Sequence, residues 1–331
     1  MDDGYFPRGR SLLRTVHEER LVGHFYGQRA LAIGALDPRN FVGTIQSSNG
    51  RLAPFGRLAR TANAFETVFF GTRAEADRML ARVDRMHERV DGELADGAGP
   101  YPAGTHYSAF DPELMLWTVA VIFDSALWFY ELFVRQLHGD EREALWQDYR
   151  RFGALFGMPL GDAPATYPGF RRWWEERFDG RHLHLTDEAR YTGRAIAFEI
   201  PFSPTRQPGK PIHDAVMRGS FPPRVRALYG ISWSAGHAAA FRGSVALLRG
   251  LRRVAPASAI RGRSGAAYDL VAATERKRLL AGRPTPQVPA PGEGAVSAGR
   301  RPRPAAGADS YASAVAQSAT PGNSSEPSGW R

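Results

Sequence analysis

The sequence predicts an all-α protein, and three observations carry that expectation. Apolar residues recur at three- and four-residue spacing in segment after segment, as in Ala76, Met79, Leu80, Val83, Met86 and Val90. Helix-capping signals open many of these segments, among them Thr72 with Glu75, Asp111 before Pro112, and Asp140 with Glu143. Period-two alternation is rare, and His182-Leu-His184-Leu is its only clear case.

Taken in order, residues 1–24 form a charged lead-in punctuated by Gly4, Pro7 and Gly9, with a helical patch from Ser11 to Leu21. A helix from Phe25 through Leu31, Ile33 and Leu36 is expected to end at Asp37-Pro38, because the residue before proline avoids the helical region. A short segment follows at Asn40 to Ser47, then a loop at Ser48 to Arg51. Arg57 to Gly71 reads as a helix with Leu58, Ala62, Phe65 and Phe69 on one side; Arg57 and Thr61, four apart, share another face. The segment from Thr72 to Gly92 is the next helix. After a Gly/Pro/Tyr-rich connection, Asp111-Pro112 opens a long apolar helix to Tyr130, expected to be its antiparallel partner. Asp140, Thr166 and Thr186 each cap a further helix, with aromatic residues such as Trp146, Phe152, Trp173 and Trp174 packed inward. Residues 200–223 are rich in proline and read as an extended crossing with a short helix near Ile212 to Met217. Pro222-Pro223 open a helix that Gly230 ends, Ser234 starts a long one, and Ala266 to Leu280 is the last.

With 331 residues and 43% hydrophobic content, the chain is long enough to bury a substantial core. The expected organisation is the lead-in, one helical domain over residues 25–282, and a tail over 283–331. The tail is dominated by Pro, Ala, Gly and Ser, cannot offset its own ordering entropy, and is expected to be disordered. Cysteine is absent, which excludes disulfides and thiolate chemistry and suits a cytoplasmic protein. The first residues lack the basic cluster and apolar run of a secretory signal, which points the same way. Leu114 to Val134 is long enough to span a bilayer but carries Asp124, Ser125 and Glu131. A central carboxylate costs about 2.5 to 3.5 kcal/mol on insertion scales, so a buried core helix is expected instead. No Gly-rich loop follows a strand and Gly-x-Ser-x-Gly does not occur, so nucleotide-binding and nucleophile-elbow fingerprints are missing.

The net charge is +9, and the basic residues are arginine except for Lys210 and Lys277. The excess is local: from Arg242 to Arg283 ten basic residues face only Asp269 and Glu275. A solvated helix face is the commonest role of such a run. A peripheral membrane contact through 242–283 is the alternative, while nucleic acid is not an expected partner.

His87 falls on the apolar face of its helix. Such a histidine is either a satisfied core residue or a ligand, because imidazole supplies a neutral nitrogen to haem iron while apolar helices shelter the macrocycle. No Cys-x-x-Cys-His is present, so any haem would be held without covalent attachment. His182 and His184, two apart, would project from one side of a strand toward a metal, but no third ligand stands nearby in sequence. His106, His138, His213 and His237 lie near turns or helix ends and read as surface residues. Asp124 sits inside the apolar helix, where a carboxylate needs a partner such as Arg57 or another arginine, or else serves as a proton relay.

A series of motifs adds to this reading. Arg57-x-x-Arg60-Thr61, His87-x-x-Val90-x-Gly92, Tyr101-x-Ala103, Asp111-Pro112-x-Leu114-x-Leu116-Trp117 and Asp124-Ser125 occur in that order. The series resembles the MpaB-type oxygenases, which include the latex-clearing rubber oxygenases, over residues 25 to 250. The resemblance implies a globin-related multi-helix bundle that binds haem b, with His87 as proximal ligand. It also implies Arg57 and Thr61 near the haem, where arginine suits a propionate. Dioxygen and an apolar, isoprenoid-type substrate would be the reactants. Asp124 joins Arg57 and Thr61 as a catalytic candidate. The chain departs from the family at three places. Many members read Ala-His-Pro where this chain has Leu36-Asp37-Pro38, and Trp-Val-His-Ala where it has Trp117-Thr118-Val119-Ala120. Rubber oxygenases carry lysine where Arg60 stands, and arginine does not deprotonate to give a lone pair to iron. A helical protein that binds haem or lipid without turnover is therefore the alternative reading.

Overall fold

Helices make up nearly every regular element of the computed structural model, which describes residues 4–46, 53–283 and 285–286. In chain order they are α1 (Leu12–Glu18), α2 (Arg20–Gly34), α3 (Pro38–Gln46), α4 (Pro54–Phe70) and α5 (Arg73–His87). After a short hairpin, β1 (Asp91–Glu93) and β2 (His106–Ser108), come α6 (Pro112–Phe133), α7 (Gly139–Leu155), α8 (Tyr167–Asp179) and α9 (Asp187–Phe198). A 3-10 turn at Pro204–Gly209 leads into α10 (Lys210–Ser220), α11 (Pro223–Tyr229), α12 (Ala235–Val254), α13 (Ala257–Ile260) and α14 (Gly265–Leu280). The all-α expectation holds among the described residues. The loop expected at 48–51 and almost all of the tail expected at 283–331 lie outside them.

Burial organises these helices around α6, of whose 22 residues 15 are buried. A helix apolar on every side has to be surrounded. On one flank lies α2, contributing Phe25, Ala30 and Ile33, and on others lie α7 and α12. The Trp117 indole donates to the Gly34 carbonyl at 2.9 Å, so even the largest side chain at this contact keeps its polar atom partnered. Among the described helices only α6 is long and apolar enough to cross a membrane, and most of it is buried inside the protein. The lead-in is no appendage, since Phe6, Leu13 and Val16 are fully buried in the same core.

The expected pairing of α5 with α6 is not what forms. Instead α5 lies against α4, joined by the two-residue link Gly71-Thr72. Its capping box at Thr72 and Glu75 is as expected, but only Ala76 is buried, because arginines and aspartates occupy most of the helix circumference. Such a surface cannot lie along α6. The β1–β2 hairpin, pairing Asp91 with Ser108 and Glu93 with His106, then turns the chain toward the start of α6. Three-residue strands with Gly92 at the centre carry no visible period-two pattern, which is why the sequence did not announce them. The alternating segment His182–Leu185 belongs to no strand and makes one cross-chain backbone bond, His184 N to Leu36 O at 2.8 Å.

A second pair, α4 with α14, is antiparallel and capped from both ends. Glu275 of α14 accepts from the backbone N–H groups of Phe55 and Gly56 at 3.3 and 2.8 Å, at the start of α4. Glu66 of α4 accepts from Ser264 N at 2.5 Å, at the start of α14. Each carboxylate thus satisfies the orphan donors of the other helix. Burial pushes the Glu275 carboxyl up to about 7 and raises that of Glu66.

Candidate functional site

The α4–α5 hairpin decides where the motif residues meet. Arg57 lies near the beginning of α4 and His87 at the end of α5, about equally far from the turn at Gly71-Thr72, so an antiparallel pair places them at one end. The end of α3 ties the two together. Arg57 donates to the Thr44 carbonyl there. One residue earlier, a Cβ on Gly43 would stand 3.2 Å from Val90 Cγ1 and 3.3 Å from Tyr107 Cδ2, and Val90 is three residues beyond His87. A Cβ there would press on both side chains, so glycine suits this close approach of α3 to the segment that follows α5.

His87 is half-buried, and among the described residues its ring takes part in no hydrogen bond. Its neighbour is the ring of Phe110, edge-on at 6.0 Å between centroids. Burial lowers the His87 pKa, with Asp84 opposing, so the ring is neutral at pH 7. The Arg57 guanidinium is pushed down to about 10 by burial and by its neighbour Arg60, and it stays a cation. One turn beyond it, Thr61 is exposed on α4. No three His, Asp or Glu side chains gather into a metal-binding group among the described residues, the expected pair His182 and His184 included. A haem iron brings four nitrogens of its own and needs only an axial ligand, and a neutral imidazole with a free ring nitrogen fits that requirement.

Asp124 stands apart from this end. It is about 18 Å along α6 from Pro112 at the helical rise per residue. Arg29 reaches it at 2.8 Å and Arg171 at 3.8 Å. Arg29 is itself buried and also donates to Ser125 Oγ at 2.8 Å and to the Ser220 carbonyl at 3.0 Å. The arginine partner expected for Asp124 is therefore present, and it is Arg29 rather than Arg57.

Other motif residues converge on a clasp with a buried carboxylate, Asp37, at its centre and the more exposed Glu113 at its edge. Asp37, fully buried, accepts from Arg39 at 3.2 and 2.9 Å and from Arg177 at 2.9 Å. Glu113 accepts from both of the same arginines. Tyr101 lies under the Arg39 guanidinium at 4.5 Å and donates to the His182 carbonyl at 3.2 Å. Burial disfavours both charges, but Asp37 holds Arg39 above its ordinary pKa, and the two arginines hold Glu113 below its own. The residues of Asp37-Pro38, Tyr101-x-Ala103 and Asp111-Pro112-x-Leu114 thus meet in one ion-pair network joining α3, α6 and α8. Sequence reasoning missed Arg29, Arg39 and Arg177, since a buried arginine has no local signature. It also missed Phe110, whose position just before the Asp111 cap was the available clue.

A family model described as ER-bound oxygenase mpaB/B'/Rubber oxygenase, catalytic domain, matches residues 14–250. The chain belongs to that family. Membership in the mpaB/rubber oxygenase family makes it a member of a group of oxygenase catalytic domains, with a small-molecule substrate and oxygen at that coarse level. An uncharacterized protein of Mycobacterium tuberculosis and one of Mycobacterium bovis are each 27% identical to it over 214 residues, covering 64% of this chain and 80% of theirs. No solved structure matches. At position 37 a carboxylate sits between two arginines. Val119 is buried against α7, where a Cβ on Gly153 would stand 2.9 Å from its Cγ2.

Proposed function

We propose that this chain is a haem b-dependent oxygenase in which His87 would hold the iron. The observation that carries the reading is the His87 ring: neutral, half-buried, without a hydrogen bond among the described residues, and at the same end of the α4–α5 hairpin as Arg57. Haem would supply the activation of dioxygen. His87 would hold the iron through its neutral imidazole, and Phe110 packs edge-on beside the ring. Arg57, with Arg60 beside it, provides positive charge for a propionate. Thr61 offers an exposed hydroxyl one turn along the same helix, which would serve the propionate or dioxygen. Asp124, held by Arg29 and Arg171, belongs to a separate polar cluster and would act on substrate or protons only from that side. The substrate class is apolar, with isoprenoid alkenes as the first to test, and the globin-related arrangement is part of the same proposal.

Absorption spectra after haem supplementation test it. The wild type is expected to show a Soret band, and His87→Ala to lose or shift it; an unaltered spectrum in the variant moves the ligand elsewhere. A second reading, binding without turnover, is favoured by Asp37 and Val119, which put no imidazole at the two positions where the family resemblance led one to be expected. Haem-loaded protein that consumes no oxygen with isoprenoid alkenes would favour that second reading.

A further inference from the structure

A pocket of about 220 Å³ opens where the last turn of α6 meets the C-terminal end of α12. It is separate from the His87 end of the molecule, since α6 runs roughly 30 Å from Pro112, next to that end, to Phe133. Four arginines line it, Arg135, Arg249, Arg252 and Arg253, with a single carboxylate, Glu131. Partners within the chain sort these charges. Glu131 accepts from Arg142 at 2.8 Å. Arg135 forks onto Glu141 at 2.7 and 2.6 Å. Arg252 forks onto Glu19 at 2.9 and 2.7 Å, where Arg261 also reaches at 3.4 Å. Arg249 and Arg253 are left, and among the described residues neither pairs with a carboxylate. Arg249 gives its Nε to the Leu132 carbonyl at the end of α6, a bond that does not engage its terminal nitrogens. Arg253 stands four residues on, so both cations face the same flank of α12, and it is exposed.

We propose that this pocket binds the dianion of a phosphate monoester, with Arg249 and Arg253 supplying the two unanswered charges and Arg135 and Arg252 closing its sides. Guanidinium N–H groups match phosphate oxygens in geometry as well as charge, and forks already fixed by carboxylates lose little freedom when a ligand arrives. A ligand with one carboxylate would leave one of the two cations unanswered. The volume is below the about 300 to 1,000 Å³ of pockets that bury a whole ligand, so the phosphate enters and the group esterified to it stays outside. This site is independent of the oxygenase reading and does not require haem.

Isothermal titration calorimetry of the full chain with glycerol 3-phosphate tests it, at constant ionic strength and against chloride. The ester is expected to bind and chloride not to, and affinity should fall as pH drops through about 6, where a phosphate monoester loses its second charge. Arg253→Gln breaks no ion pair of the fold and should weaken binding about tenfold. Arg242→Gln, on the same flank of α12 but outside the pocket, should leave it unchanged. Circular dichroism checks that both variants keep their helix content. No binding of the ester, wild-type affinity in Arg253→Gln, or an equal loss in Arg242→Gln overturns the proposal, the last because it would show a diffuse charge effect. Vesicles of phosphatidylcholine with phosphatidic acid separate two sources of the same group. Co-sedimentation that glycerol 3-phosphate competes away assigns the pocket to a lipid headgroup, whereas calorimetric binding without co-sedimentation assigns it to a soluble ester.

Discussion

Two histidine environments show what separates the interior of this protein from the end of its α4–α5 hairpin. His17 is buried, bonded through Nε2 to the Tyr149 hydroxyl at 2.6 Å, stacked on Phe69 at 4.4 Å and met edge-on by Tyr26 at 4.6 Å. Burial pushes its pKa down to about 3, so it is a neutral part of the core. His213, expected on the surface, is likewise buried, between Gln28 at 2.9 Å and Asp214 at 3.1 Å. His87 has one aromatic neighbour and no hydrogen bond among the described residues. Inside, both of these histidines are answered by the chain itself. At the hairpin end, among the described residues, the nitrogens of His87 have no such partner.

The largest test of that contrast is Asp37→Ala, which takes the buried carboxylate from Arg39 and Arg177 and leaves the two sharing the more exposed Glu113. It should destabilise the protein by about 3 to 5 kcal/mol in denaturant unfolding; a loss under 1 kcal/mol would mean that water answers the clasp. Next comes the pH dependence of Glu275. Its carboxyl titrates near 7 in the folded chain and near 4.5 unfolded, so the folded state holds its proton longer. Stability should therefore be highest below the unfolded value and fall by about 1 to 3 kcal/mol as pH rises to about 7. Glu275→Gln should flatten that slope in thermal melts across this window. His17→Phe leaves the Tyr149 hydroxyl without its partner and should cost about 1 to 3 kcal/mol, with any haem spectrum unchanged. Smallest is His87→Ala in haem-free protein, expected within about 0.5 kcal/mol of wild type. Should it match the cost of His17→Phe, His87 is a core residue and the contrast fails.

Helix positions were legible wherever capping chemistry is local. Ser234, Thr166 and Thr186 cap the helices they were expected to open, and Gly230 ends α11 in the left-handed conformation at φ +62°. Around Asp140 the start shifted to Gly139, the usual imprecision of a helix end. Pairing was not legible, because which faces meet depends on competition across the whole chain. The α5 residues Met79, Val83 and Met86 follow a helical period, yet the charges around them leave the helix on the outside. Of the candidate site, the juxtaposition of His87 and Arg57 follows from a hairpin visible in the sequence. The clasp of Asp37, Arg39, Glu113 and Arg177 joins residues up to 140 apart, and no local pattern records such a meeting.

The reciprocal caps of α4 and α14 bear on how this protein should be dissected. The family match stops at residue 250, but the helix bearing Arg57, Arg60 and Thr61 has its first-turn amides held by a carboxylate at position 275. Tyr268 of the same C-terminal helix also donates to the Gly23 carbonyl of α2. A fragment cut at the homology boundary would leave the first turn of α4 frayed and its flank open to water. The helix that packs on and caps α4 thus runs to Leu280, some thirty residues beyond what sequence similarity marks out.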